Sequence, residues 1–177
     1  MNQIETAYFI IRNHLPLEHR PYYLAFLLGV AVILNLVRIK KRLTWRETAL
    51  IAFLIIYMAF VAAITLIERT PDVELKMKLV PLWSWHKMII THSRRAFDEI
   101  VLNILMLFPV GGVLQLWKKI GSRKALLYGL EISLIIETLQ LLSYRGYFEW
   151  DDLLHNSVGC MLGAVVIERV QRWFRRF

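Results

Sequence analysis

Charge is missing from long stretches of this sequence, and cysteine is nearly missing from all of it. Cys160 is the single cysteine, so no intrachain disulfide can form. Its position between Gly159 and Met161, inside an apolar segment, predicts buried packing. No Gly/Ser linker, low-complexity tract or internal repeat interrupts the sequence, which predicts one domain over 1–177. There is no His-Glu-x-x-His, no serine elbow and no second histidine placed to converge with His155, so the commonest hydrolase signatures are absent.

What is present is apolar. Hydrophobic residues make up 57% of the chain and the mean hydropathy is +0.47, too apolar for an ordinary soluble domain. Apolar stretches cover about 22–37, 48–67, 100–117, 125–142 and 153–167, close to the ~20 residues a helix needs to cross the hydrocarbon core. The fold expected is an all-α integral membrane protein, a compact bundle of about five transmembrane helices. The second stretch contains no charge at all, whereas the fifth is the shortest and most polar and is read as either crossing or re-entrant. The first starts too late for a signal peptide. Residues 1–21 carry Pro16 and Pro21 and no small-residue cleavage site, so an uncleaved, signal-anchor-like first span is expected.

Lysine and arginine set the orientation. Arg38, Lys40, Lys41, Arg42 and Arg46 mark the first connection as cytoplasmic, as do Lys118, Lys119, Arg123 and Lys124 for the third and Arg169, Arg172, Arg175 and Arg176 for the tail. The N-terminus, with Arg12 and Arg20, and the 143–152 loop, with Arg145 alone, fall outside. The 68–98 connection joins them there, its Arg69, Lys76, Lys78, Lys87, Arg94 and Arg95 diluted among Glu68, Asp72, Glu74 and Asp98. The N-terminus is thus expected outside, the C-terminus in the cytoplasm, and the chain in a bacterial cytoplasmic membrane as a multi-pass protein. Basic residues beside anionic lipid gain on the order of 1 kcal/mol each, which accounts for the net charge of +8 without nucleic acid. Pro71, Pro81 and the run Leu82-Trp83-Ser84-Trp85-His86 predict an interfacial aromatic anchor in a half-helix or re-entrant segment.

Against this apolar background stand Asn103, Glu137, Gln140, Arg145, Asp151, Asp152 and Asn156. Ionisable groups at a helix centre cost roughly 2.5 kcal/mol or more each, so they persist when paired or facing protein. Glu99 and Asn103, four apart, share a face at the outer end of the third span. Glu137 and Gln140 share one at the outer end of the fourth, with Ser133 a turn below. Asp151, Asp152, His155 and Asn156 occupy the entrance of the fifth, so three helices deliver polar groups to the same side. Asp152, Asn156, Gly159 and Gly163 form one stripe whose lower half is a small-xxx-small seam. Pro109 with Gly111 and Gly112 predicts a kink in the third span. Glu131 and Asn35 lie toward the inner side and are not assigned to the site.

These residues resemble the VanZ-like family of bacterial membrane proteins over about 79–166. The likeness rests on Leu79-Val80-Pro81-Leu82, on Asn103 with Phe108-Pro109-Val110-Gly111, and on Glu137-Thr138-Leu139-Gln140. It continues in Arg145, Asp151-Asp152, and Asn156 with Gly159 and Gly163. Between Arg145 and Asp151 the chain departs from the pattern, carrying Gly146-Tyr147-Phe148-Glu149-Trp150 in place of a short segment with an aspartate. The resemblance implies action in the cell envelope, since the founding member is linked to low-level teicoplanin resistance. It implies no defined reaction.

Three readings of the polar set follow. In the first, Arg145 with Arg94 or Arg95 grips a phosphate or carboxylate of an envelope lipid or isoprenoid-linked cell-wall precursor, and Glu137, Asp151 and Asp152 meet its sugar or amine groups. In the second, Glu137 and Asp152 form an acid/base pair of a hydrolase or transferase, or Asp151, Asp152, Glu137 and His155 hold a metal. No cofactor and no metal is the expectation adopted. In the third, Glu137, Arg145 and Asp151 or Asp152 form a buried ion-pair cluster clamping the last three spans, as in a scaffold for a membrane-protein partner. One arginine cannot neutralise three carboxylates, which weighs against pairing alone.

Overall fold

Helices begin where a side chain can accept their first amide protons. In the computed structural model, which describes residues 20–67, 69–71 and 74–177 with the side chains of 20–23 excepted, helix α1 spans Arg20–Lys41. Helix α2 spans Trp45–Ala62 and continues as a π-helical turn, Ala63–Ile67. Its start is a reciprocal capping box: the Glu47 N–H donates to Thr44 Oγ1 at 3.2 Å and the Thr44 N–H donates to Glu47 Oε2 at 3.0 Å. Then come strand β1 (Lys76–Lys78), the short α3 (Trp83–Thr91), α4 (Arg94–Lys118), α5 (Gly121–Leu142), strand β2 (Tyr147–Glu149) and α6 (Trp150–Phe174). Ser93 caps α4, its hydroxyl accepting from the Ala96 N–H at 3.3 Å. Gln115 links α4 to α5, its carbonyl accepting from the N–H of left-handed Lys119 and its Oε1 from the Gly121 N–H at 2.9 Å. The expectations placed on Arg12, Pro16, Glu68 and Asp72 fall outside the described residues.

The chain divides into two compact units, one through Ile56 and one from Tyr57 onward. Among the described residues, four helices are long and apolar enough to cross a membrane: α2 with its π turn, α4, α5 and α6. Helix α1 coincides with the first expected span. The fifth expected span is a helix of 25 residues, so it has the length to cross fully. Leu134 and Ile135 of α5 and Leu162 and Val166 of α6 are exposed, the surface that a bilayer covers.

The 68–98 connection holds more than the expected short helical segment with its aromatic run: it contributes β1, which pairs in parallel with β2, placing Lys76 opposite Tyr147 and Lys78 opposite Glu149. It also contributes α3 and the first turn of α4, in which Arg94 and Arg95 lie. Helix α4 is helical from Arg94 to Lys118 with Pro109 inside it, and it is held against α6 by close packing.

That packing is made by glycine. Lipid is as apolar as leucine, so membrane helices associate by close approach and interhelical hydrogen bonds. A Cβ at Gly159 would overlap the Ile104 carbonyl oxygen, and one at Gly163 would overlap that of Phe108. From the other side, a Cβ at Gly111 would overlap the Cys160 carbonyl oxygen. Backbone thus lies on backbone along the α4–α6 seam. Across α6, a Cβ at Gly129 of α5 would come within 2.7 Å of Cys160 Cβ, so the buried Cys160 packs between α4 and α5.

Candidate functional site

Above the seam, the same helices meet through polar side chains. Asn103 Nδ2 of α4 donates to Asp152 Oδ1 of α6 at 2.5 Å. Asn156 Nδ2 donates to Ser133 Oγ of α5 at 2.8 Å, and Ser133 Oγ donates to the Asp152 carbonyl at 3.4 Å. Asn156 therefore leaves the Asp152–Gly159 stripe and faces α5, not α4. Glu137, only 1% exposed, accepts the Glu149 N–H on its Oε2 at 3.0 Å. That bond satisfies an orphan amide at the start of α6 and ties β2 to α5.

Asp151 has a structural task. Its Oδ1 accepts the Leu82 N–H at 2.5 Å and its Oδ2 accepts the Ser84 N–H at 2.6 Å, capping α3 from across the fold. Such charge-assisted bonds at a helix N-terminus are among the stronger ones available. Leu82 adopts a left-handed conformation with φ 60°, which this carboxylate holds in place. One turn along α6, Trp85 Nε1–H donates to His155 Nε2 at 2.8 Å. With Nε2 accepting, a neutral ring carries its proton on Nδ1. The expected aromatic anchor is thus fastened to α6.

Arg145 makes no ion pair with Glu137, Asp151 or Asp152. Its Nη1 donates to the carbonyl oxygens of Leu66 at 3.0 Å, Ile67 at 2.6 Å and Arg69 at 2.9 Å. It neutralises the carbonyl end of the π turn that closes α2. Nearby, Gln140 Nε2 donates to the Thr65 carbonyl at 3.3 Å. The expected ion-pair cluster is not formed, and Arg145 Nη1 is engaged by backbone carbonyls instead.

These contacts frame a cavity of about 850 Å³. Its apolar wall includes Phe60, Ile64, Leu102 and Leu105, and its polar side carries Arg69, Lys78, Lys87, Arg95, Glu99, Asn103, Glu149, Asp152 and His155. Of the residues singled out in the sequence, Asn103, Asp152, Glu99, Arg95 and His155 line it. Glu137, Gln140, Arg145, Asp151, Asn156 and Arg94 do not. The acid/base pair envisaged for Glu137 and Asp152 is therefore split between the protein interior and the cavity. Among the described residues, no three His, Cys, Asp or Glu side chains group as a metal site.

Arg69, Lys78 and Lys87 were not singled out from the sequence, where they read only as basic residues spread among acids in the 68–98 connection. Lys78 pairs with Glu149 at 2.8 Å and lies 4.3 Å from the centre of the Tyr147 ring. Arg95 pairs with Glu99 at 3.0 Å. Arg69 and Lys87 are in no ion pair among the described residues, although Arg69 acts electrostatically on both Glu137 and Asp152.

Spans long enough to cross a bilayer, joined at one end by buried polar contacts around a cavity, define a multi-pass, all-α membrane protein. The sequence pattern of the VanZ/LLP1 family matches residues 48–171, most of the chain, and the chain belongs to that family. It is a protein of the cytoplasmic membrane. No curated protein and no solved structure matches it.

Proposed function

We propose that the cavity is an outer-leaflet site for the head group of an anionic envelope lipid or isoprenoid-linked cell-wall precursor, and that this binding contributes to glycopeptide (teicoplanin) resistance. The observation that carries the reading is the pairing of an apolar wall with a basic rim in one cavity of about 850 Å³. A lipid presents the matching pair of surfaces, a phosphate beside a hydrocarbon chain. Lys78 and Arg95 are matched by Glu149 and Glu99, which leaves Arg69 and Lys87 to meet the anion and Asp152 to accept from a hydroxyl or amine. The Lys and Arg distribution puts this end of the bundle outside.

Native mass spectrometry on protein purified in mild detergent tests the proposal. A phosphate-bearing lipid retained by wild type and lost from a folded R69Q/K87Q double variant is the expected result. Equal retention by both, or none by wild type, overturns it.

A second reading, a structural clamp in a scaffold for a membrane-protein partner, draws support from Asp151 and Arg145, both hydrogen-bonded to backbone of other elements. On that reading Arg145→Gln lowers folded yield, while R69Q/K87Q changes neither yield nor bound lipid.

A further inference from the structure

Two adjacent residues, Arg145 and Gly146, both act on Arg69. The Arg145 guanidinium holds the carbonyls of Leu66, Ile67 and Arg69, and so fixes the backbone from which the Arg69 side chain departs. Gly146 supplies the space that this side chain fills: a Cβ built there would lie 2.7 Å from Arg69 Nη1. The same missing methyl lies 3.5 Å from Gln140 Oε1, a buried acceptor with no hydrogen-bond partner among the described residues. Backbone geometry does not account for a glycine at 146, because Gly121 alone among the described glycines has positive φ. What Gly146 provides is room.

From this we infer that Arg145-Gly146 is a positioning pair that presents the Arg69 guanidinium to the cavity, and that Arg69 so placed sets the preference for a phosphate-type oxyanion. The inference rests on the reading of the cavity as an anionic-lipid site. Arginine suits this task because its planar fork engages two oxygens at once, which a lysine ammonium cannot do. The other basic rim residues lack such a device: Arg95 and Lys78 are paired with carboxylates, and Lys87 projects from the short helix α3.

The test compares a polyprenyl monophosphate with the chain-matched polyprenol, titrated into the purified full chain in detergent and read by native mass spectrometry. Wild type is expected to prefer the phosphate, and R69Q to lose roughly tenfold or more of that preference, the size of one charge-assisted hydrogen bond. G146A is expected to lose a similar factor while keeping its melting temperature and polyprenol binding, because the added methyl displaces only the flexible end of Arg69. The double variant G146A/R69Q is expected to be no worse than R69Q, as for residues acting through one group. A folded G146A that keeps the full preference while R69Q loses it overturns the positioning role, and so does a folded R145K with undiminished preference. R69Q with wild-type preference overturns the role of Arg69. Wild type with no preference at all overturns the underlying lipid reading, an outcome the variant arms keep distinct.

Discussion

Two stretches of α6 hold the same neighbours by opposite means. Around its middle, Gly159 and Gly163 bring backbone against backbone. In its first turns, Asp151, Asp152, His155 and Asn156 reach out to α3, α4 and α5 through directional polar contacts. The glycine seam makes an anchor that tolerates nothing larger. The polar turns at its start instead line the cavity, with Asp152 and His155 facing residues of α4 and of the α2 end. One helix thus packs by close approach along one stretch and contributes to a cavity along another.

Substitutions can break this contrast, and the greatest damage is expected in the seam. Gly159→Val drives a side chain into the Ile104 backbone, so its cost should reach or exceed the upper end of the ~1–3 kcal/mol usual for overpacking. Loss of the monodisperse peak in size-exclusion chromatography checks it. Next is Asp151→Ala, which strands the Leu82 and Ser84 amides, at about 3 kcal/mol for two bonds at the lower end of the range for a charged acceptor. Hydrogen exchange should rise in 82–91 and leave 104–112 protected; uniform exchange across both would show that the two stretches are not separable.

A sharper comparison is Asp152→Asn, expected to change stability by less than about 1 kcal/mol because the new amide oxygen can still accept from Asn103. On the binding reading, in which Asp152 accepts from a ligand hydroxyl or amine, the variant should retain a phosphate-bearing lipid several-fold less well. Undiminished retention in a folded variant would show that Asp152 does not contact the ligand. The smallest effect belongs to Lys78→Gln. Its side chain is 42% exposed, so the pair with Glu149 should contribute about 0.2–1 kcal/mol, seen as a minor fall in melting temperature.

Much of this was legible in the sequence. The apolar runs located the spans because helix length in a bilayer is fixed by thickness, and four- and three-residue spacing put Asn103 and Asp152 within reach of each other. The partners of Arg145 and Asp151 were not legible. Both look like half of an ion pair, yet each is satisfied by backbone amides or carbonyls, which every residue carries and no sequence pattern marks. Arg69, Lys78 and Lys87 were overlooked because they sit in a connection whose course depends on β1 pairing with β2, a contact between segments far apart in the chain.

The β1–β2 ladder carries a consequence for biogenesis. Lys78 and its partner Glu149 are separated by 71 residues, so at a synthesis rate of roughly 5–20 residues per second the first strand waits on the order of several seconds for the second. During that interval α4 and α5 enter the membrane while β1 has no mate and α3 lacks the Asp151 carboxylate that caps it. The rim of the cavity is thus completed only once α6 has been made, and a chain truncated before α6 lacks the partners of both β1 and α3.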